Sequence, residues 1–321
     1  MAIENRELWI QKFKEGQSYL IISHVNPDGD TIGSALGLRL ALLALGKEVS
    51  VVCDGEIPRF VSYLEGADAY LRPDQVTAAY DTAIAVDMSA PEMMGQSGPL
   101  FEAAQVRLVI DHHPTNAGFG DVDWIRRGEA ACCQLVYDAI LDLGIPLSTE
   151  MADCILLGLS TDTGHFQYKG TTVTTMRTAT ALVEAGADIS WMSRQVYRTA
   201  TMERVLITKK VYEKMHFACN HQIGMVEITE EDRKMTGCVK SDMEGLVNLV
   251  LDIEGVRFAF LAREVEDEIR FSLRSKYPDT INDVALRFGG GGHAQAAGCF
   301  LRGVTLSEAT EQVRRAIEAK L

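Results

Sequence analysis

His24-Val25-Asn26-Pro27-Asp28-Gly29-Asp30 begins where the apolar run Tyr19-Leu20-Ile21-Ile22 stops. Two further clusters are placed the same way: a lone Asp87 after Ala83-Ile84-Ala85-Val86, and Asp111-His112-His113 after Val106-Arg107-Leu108-Val109-Ile110. Short continuous apolar runs read as strands buried on both faces of a parallel sheet. Three strand ends then deliver carboxylates and imidazoles to one edge. In open parallel α/β sheets that edge is where ligands bind.

Working outward, apolar residues recur at helical spacing over 31–45, with Gly46 as the stop, and 49–53 reads as a short strand. Helices are expected at 100–104, at 130–143 before Gly144-Ile145-Pro146, at 150–159 and at 171–185, with Thr161-Asp162-Thr163-Gly164 as a loop after the third of these. Repeated β-α order predicts an α/β fold, a parallel sheet with helices on both faces. Beyond Gly186 the pattern changes to strands at 224–228, 256–262 and 268–273 and helices at 243–251, 282–287 and 306–319. The expected organisation is a metal-binding catalytic domain over 1–187, a connector over 188–208, and a smaller mixed-sheet α/β domain over 209–321 that binds substrate.

Composition sets bounds on function. With 321 residues and 47% hydrophobic content the chain has the size of two ordinary globular domains. No apolar stretch is long enough to span a bilayer and the N-terminus lacks the order of a signal peptide, so a cytoplasmic protein without membrane attachment is expected. Seven cysteines, two of them adjacent and none in a CxxC pair, argue for buried apolar residues rather than a disulfide framework. The net charge of -14 divides into -12 over residues 1–202 and -2 over 203–321. Duplex DNA is excluded as a partner, because affinity for it needs a dense basic footprint. A small phosphorylated substrate or a very short oligonucleotide fits.

The four clusters share one chemistry. Carboxylates and imidazoles, with no thiolate among them, suit two divalent cations; Mn²⁺ is preferred for a mixed nitrogen and oxygen shell, with Mg²⁺ or Co²⁺ as substitutes. Asp28 and Asp30 are expected to face neighbouring ions from one short loop. Asp87, alone at its strand end, is placed to bridge them, and His112 joins Asp30 and Asp162 on the second ion. A single DxD is a common turn; four such clusters in this order point to a hydrolytic two-metal site.

The His24-to-Ser34 stretch, lone Asp87, Asp111-His112-His113 and Thr161-Asp162-Thr163-Gly164 together resemble the DHH phosphoesterase superfamily. In the second domain, Phe288-Gly289-Gly290-Gly291-Gly292-His293-Ala294-Gln295-Ala296-Ala297-Gly298 resembles the glycine-rich signature of the DHH-associated domain, and Phe271-Ser272-Leu273-Arg274-Ser275-Lys276 its basic strand. The resemblance implies that His24, Asp28 and Asp87 hold one Mn²⁺ and that Asp30, Asp87, His112 and Asp162 hold the other. It implies that His113 faces the phosphate, with His113, Asp87 and Asp111 as the catalytic groups. The two-domain layout is most similar to members that cleave very short RNA (nanoRNA) to mononucleotides and dephosphorylate 3′-phosphoadenosine-5′-phosphate.

In the second domain, consecutive glycines let backbone approach an anion, and a helix after Gly290, Gly291 and Gly292 would aim its N–H groups at a phosphate beside His293. Arg274 and Lys276, two apart on a strand, are expected on one face, with Arg263 joining them unless it pairs with Glu264 or Asp267. His216 and His221 read as solvated surface, and His165 as packing near the site. Alternatives are a phosphodiesterase for linear or cyclic dinucleotide second messengers and a catalytically silent nucleotide sensor; pyrophosphatase ranks lower. Expected partners are short RNA and phosphorylated nucleotides, and a homodimer is compatible with the chain.

Overall fold

A computed structural model describes residues 3–292 and 294–321. They form two compact units, Met1–Thr199 and Ala200–Leu321. The first unit begins with β1 (Ile3–Glu4), α1 (Arg6–Glu15), β2 (Ser18–Ser23), α2 (Gly29–Ala44), β3 (Glu48–Cys53) and β4 (Tyr70–Leu71). It continues with β5 (Thr82–Val86), α3 (Gly98–Ala103), β6 (Val106–Asp111) and β7 (Val122–Ile125). Four helices complete it: α4 (Cys132–Asp142), α5 (Thr149–Asp162), α6 (Val173–Glu184) and α7 (Ile189–Ser193).

The sheet order is β1-β7-β6-β5-β2-β3-β4, and every neighbouring pair is parallel except β1 with β7. Strand residues alternate between two cores, as a twofold side-chain period requires. Ile21, Val51, Ile84 and Leu108 point to the larger core, with Trp9 and Phe13 of α1, Trp124 of β7, and residues of α2, α4 and α5. Leu20, Ile22, Val52, Ala85 and Val109 point to the smaller one, with Met88, Met94 and Phe101. The predicted parallel sheet covered on both faces is present.

Helices α2 and α5 meet through glycine. Gly29, Gly33 and Gly37 recur every four residues on α2, so they share one face. A side chain at Gly33 would overlap the Cys154 carbonyl oxygen, and one at Gly158 would come within 2.6 Å of Asp30 Oδ1. Helix α5 is longer than the sequence predicts: it runs through Asp162, so that residue closes a helix rather than sitting in a loop. Backbone carbonyls of α5 accept the hydroxyls of Thr161 and Thr163, so both polar side chains are satisfied within the helix.

The second unit holds α8 (Met202–Lys214), β8 (His216–Ala218), β9 (Ile223–Ile228), α9 (Glu230–Thr236) and α10 (Leu246–Leu251). Then follow β10 (Phe258–Val265), β11 (Glu268–Ser275), α11 (Asn282–Arg287), β12 (Gly291–Gly292), β13 (Ala296–Arg302) and α12 (Leu306–Glu318). Its sheet has the order β12-β13-β11-β10-β9-β8, mixed because only β9 and β10 run parallel. Phe258, Phe260, Phe271 and Leu273 pack against α11 and α12 on one face. Val226, Ile228, Ala259 and Leu261 pack against α8 and α10 on the other.

Two expectations for this unit are corrected. No helix follows the glycine run. Ala297 and Cys299 alternate into the core and the segment pairs with β11 as strand β13. The helix predicted over 243–251 is cut to α10, because Gly245 takes a left-handed backbone (φ 73°) before it. Among the described residues no helix is long and apolar enough to cross a membrane.

Candidate metal centre

Strands β6, β5 and β2 are neighbours, so His112, Asp87 and His24 emerge side by side. The chain winds from β2 through β3 to β4 on one side and from β5 through β6 to β7 on the other. His24 and Asp87 thus flank the point where the winding reverses, the crevice that open α/β sheets offer to ligands. Asp87 has a left-handed backbone (φ 55°) and donates its N–H to the Ile110 carbonyl at 3.0 Å.

Asp28 caps α2, its Oδ1 accepting the backbone N–H groups of Asp30 and Thr31 at 3.0 Å each. Asp30 lies in the first turn of that helix, not in the same short loop as Asp28. It is fully buried, and its two oxygens accept the Cys132 and Cys133 N–H groups at 2.6 and 2.9 Å. Those amides open α4, whose N-cap Ala131 has no capping side chain, so a carboxylate from α2 satisfies them instead.

Among the described residues, ligand atoms gather in three overlapping groups, each within 4.8 Å: His24, Asp28 and Asp87; Asp30, His112 and Asp162; Asp87, His112 and His113. Asp87 spans them. Its Oδ2 lies 3.9 Å from His24 Nε2 and its Oδ1 3.4 Å from His112 Nε2. His112 Nε2 also lies 3.3 Å from Asp162 Oδ2 and 3.8 Å from Asp30 Oδ2. His112 Nδ1 is 3.0 Å from the Glu129 carbonyl oxygen. A carbonyl only accepts, so Nδ1 carries a proton, and Nε2 is the nitrogen left for a metal once the ring gives up its second proton.

Burial, and after it the Asp162 carboxylate, push the Asp30 carboxyl up to about 7. Burial, then Asp30, also holds Asp87 well above the ordinary carboxylate range. Burial opposes charge on His112, yet the Asp162, Asp87 and Asp30 carboxylates raise it well above the usual imidazole value. Asp87 Oδ1 is buried without a hydrogen bond. Crowded buried carboxylates with an orphaned oxygen cost free energy unless cations neutralise them, and oxygen with imidazole nitrogen is a divalent-metal donor set. The residues present fit metal ions.

His113 is held from behind. Its Nδ1 lies 2.7 Å from Asp111 Oδ1, while Asn116 Nδ2 donates to Asp111 Oδ2 at 2.7 Å and to the Met88 carbonyl at 3.0 Å. Burial would raise the Asp111 carboxyl, but the bonds from His113 and Asn116 bring it below its ordinary value. Asp111 belongs to none of the three ligand groups. The sequence reading did not find Asn116, whose Pro114-Thr115-Asn116-Ala117-Gly118 setting reads as a plain turn. Nor could it find the Cys132 and Cys133 amides, since backbone donors leave no mark on residue type. His165 packs beside the centre, with Nδ1 3.0 Å from Ser160 Oγ and Nε2 3.3 Å from Ser193 Oγ.

In the second unit, Arg263 stands cross-strand from Arg270. Its Nε is buried without an acceptor, and among the described residues neither Glu264 nor Asp267 pairs with it. Burial, then Arg270 and Arg233, lowers its pKa. Arg274 shares a face of β11 with Arg270 and Ser272, because Phe271 and Leu273 fill the core on the other. Lys276 does not share that face. It lies past the end of β11, and its Nζ donates to the Ile253 carbonyl at 3.0 Å. Side chains at Gly290 and Gly292 would overlap the backbone of β13, which explains both glycines by close pairing, whereas Gly291 is exposed with open space around it. His293 lies outside the described residues.

Known proteins are similar to this chain in sequence and in fold. Residues 18–159 match the DHH family N-terminal domain and residues 233–321 the DHHA1 domain. The bifunctional oligoribonuclease and PAP phosphatase NrnA of Thermus thermophilus is 34% identical over 97% of this chain and 92% of its own length. The protein of the same description from Bacillus subtilis is 27% identical over 87% of each chain. The crystal structure of an exopolyphosphatase-related protein from Bacteroides fragilis superposes with a TM-score of 0.89 at 28% identity, covering 96% of this chain and 95% of that one. On its sequence, its fold and the ligand-bearing strand ends together, the chain belongs to the DHH phosphoesterase family.

Proposed function

We propose that this chain hydrolyses RNA fragments of a few nucleotides to mononucleotides and removes a phosphate from 3′-phosphoadenosine-5′-phosphate, with Mn²⁺ as the preferred metal. The observation that carries this reading is Asp87, one oxygen toward His24 and the other toward His112. His24, Asp28 and Asp87 would hold one ion and Asp30, Asp87, His112 and Asp162 the other. When bound, such a pair supplies charge stabilisation for phosphoryl oxygens and activates water at neutral pH. His113, oriented by Asp111, exchanges a proton with a phosphate or leaving-group oxygen, a role worth roughly 10²–10⁴-fold. Asp111 and Asn116 act as positioning residues. Arg263, Arg274 and the exposed Gly291 backbone contact the anionic part of the substrate. The relatives named for oligoribonuclease and PAP phosphatase activity support the same substrate class.

The test is turnover of a panel of di- to pentanucleotides, 3′-phosphoadenosine-5′-phosphate, cyclic and linear dinucleotide messengers and pyrophosphate, with Mn²⁺, Mg²⁺, Co²⁺ or chelator. Dinucleotides and 3′-phosphoadenosine-5′-phosphate should be the preferred substrates, with Mn²⁺ best and chelator abolishing activity. Preference for a cyclic dinucleotide or pyrophosphate would overturn the assignment.

A further inference from the structure

The chain just past Asp162 is unusual in its backbone. Gly164, His165 and Phe166 all take left-handed conformations, with φ of 57°, 60° and 65°. For the two non-glycine residues this conformation is strained, and such strain gathers at ligand sites. The turn brings Tyr168 back over the helix end: its N–H donates to the Thr163 carbonyl at 2.9 Å, and a side chain at Gly164 would overlap its ring. Glycine is therefore what lets the ring lie against the backbone two residues from Asp162. The ring is nevertheless 58% exposed.

A second ring stands nearby. Residues Arg194–Arg198 form a π-helical turn, a local distortion common at functional sites. It places the Tyr197 hydroxyl 3.1 Å from Ser160 Oγ and 3.1 Å from the Ser160 carbonyl oxygen, and sets its ring 4.9 Å from that of His165. Both tyrosines thus attach to the C-terminal end of α5, Tyr197 through Ser160 and Tyr168 through Thr163. The Tyr197 ring is pinned at its hydroxyl end yet 42% exposed. None of the metal-ligand groups uses either tyrosine.

We propose that Tyr168 and Tyr197 form a nucleobase-stacking subsite in the first unit, beside Asp162, which holds the base of a nucleotide adjoining the scissile phosphate. Exposed rings next to a phosphate-directed centre are what stacking needs, since every base offers a π-face. The subsite rests on the nucleotide reading above. It adds to it a grip on the base that does not depend on hydrogen bonding to a particular sequence, so all four bases should be accepted.

The experiment is a double-mutant cycle on the full chain with Mn²⁺. ApA is compared with two analogues, each lacking one base, in wild type, Tyr168→Ala, Tyr168→Phe and Tyr197→Ala. Tyr168→Ala should raise KM for ApA roughly tenfold, in the range of one lost base stack, with kcat little changed, and Tyr168→Phe should restore wild-type KM because the ring alone matters. For one abasic analogue the wild type should already show the loss, and Tyr168→Ala should add almost nothing to it. Penalties that multiply for both analogues would overturn the subsite while leaving the oligonucleotide assignment in place. Failure of wild type to cleave ApA would overturn both. A kcat loss in Tyr168→Phe equal to that in Tyr168→Ala would assign the hydroxyl, not the ring, and remove the stacking proposal.

Discussion

Asp87 and Asn116 illustrate two ways a side chain serves one centre. Asp87 lies between the ligand groups with a buried, unpaired oxygen, so its replacement removes a ligand from both. Asn116 touches no ligand group; it donates to Asp111 and to the Met88 carbonyl, and Asp111 in turn fixes His113. Asp87→Ala should therefore lower metal stoichiometry and abolish turnover. Asn116→Ala should keep both ions, by atomic absorption, while kcat falls roughly 10–100-fold, the usual cost of removing a partner that orients a working group. It should also lose about 1–3 kcal/mol of stability, because a buried carboxylate oxygen is left unpaired. Equal metal loss in the two variants would place Asn116 among the groups that hold the ions.

Between elements, the contact that matters most is α2 against α5. Asp30 opens α2 and Asp162 closes α5, so the distance between these helices sets the distance between two ligands of one group. Gly33→Ala would force the new methyl into the Cys154 carbonyl and part the helices. It should destabilise by about 1–3 kcal/mol in urea unfolding, and more on relaxation-resistant packing, and weaken one metal site more than the other in titration calorimetry. Gly37→Ala is the control: its nearest neighbour would be Val136 Cγ1 at 3.4 Å, an ordinary contact. That variant should be neutral or gain up to about 1 kcal/mol from helix propensity. Equal destabilisation by both would show that the helix pair is not set by close approach.

The same comparison explains what could be read from the sequence. His24, Asp87 and His112 were legible because an apolar run ends just before each cluster, and period and residue type agree there. Strand β13 was not, because Ala296-Ala297-Gly298 lacks the branched residues that mark strands and follows a glycine run that suggested an anion loop. Lys276 was misplaced because two-residue spacing fixes a face only while the strand lasts, and β11 ends at Ser275. Tyr168 left no signal at all, since its position depends on the left-handed turn and not on any local pattern of residue types.

At the scale of the molecule, each unit has its own cores, and the ligands all belong to the first, spread from His24 to Asp162. No short piece of that unit carries a full ligand group, so bound ions add their binding free energy to the folding of the entire first unit, which holds every ligand. The aromatic core supplies a means of seeing this. All three tryptophans lie in the first unit, and Trp9 and Trp124 are fully buried in contact with each other. Tryptophan emission is thus a private optical label for the unit that holds the metals, while far-ultraviolet dichroism sees both. On adding Mn²⁺ at about 100 times its dissociation constant, worth about 2.7 kcal/mol, the melting curve followed by emission should move to higher temperature, and the dichroism curve should split into one shifted and one stationary component. A dichroism curve that moved as a single transition would mean that the two units melt as one body, and that the label reports on the whole chain.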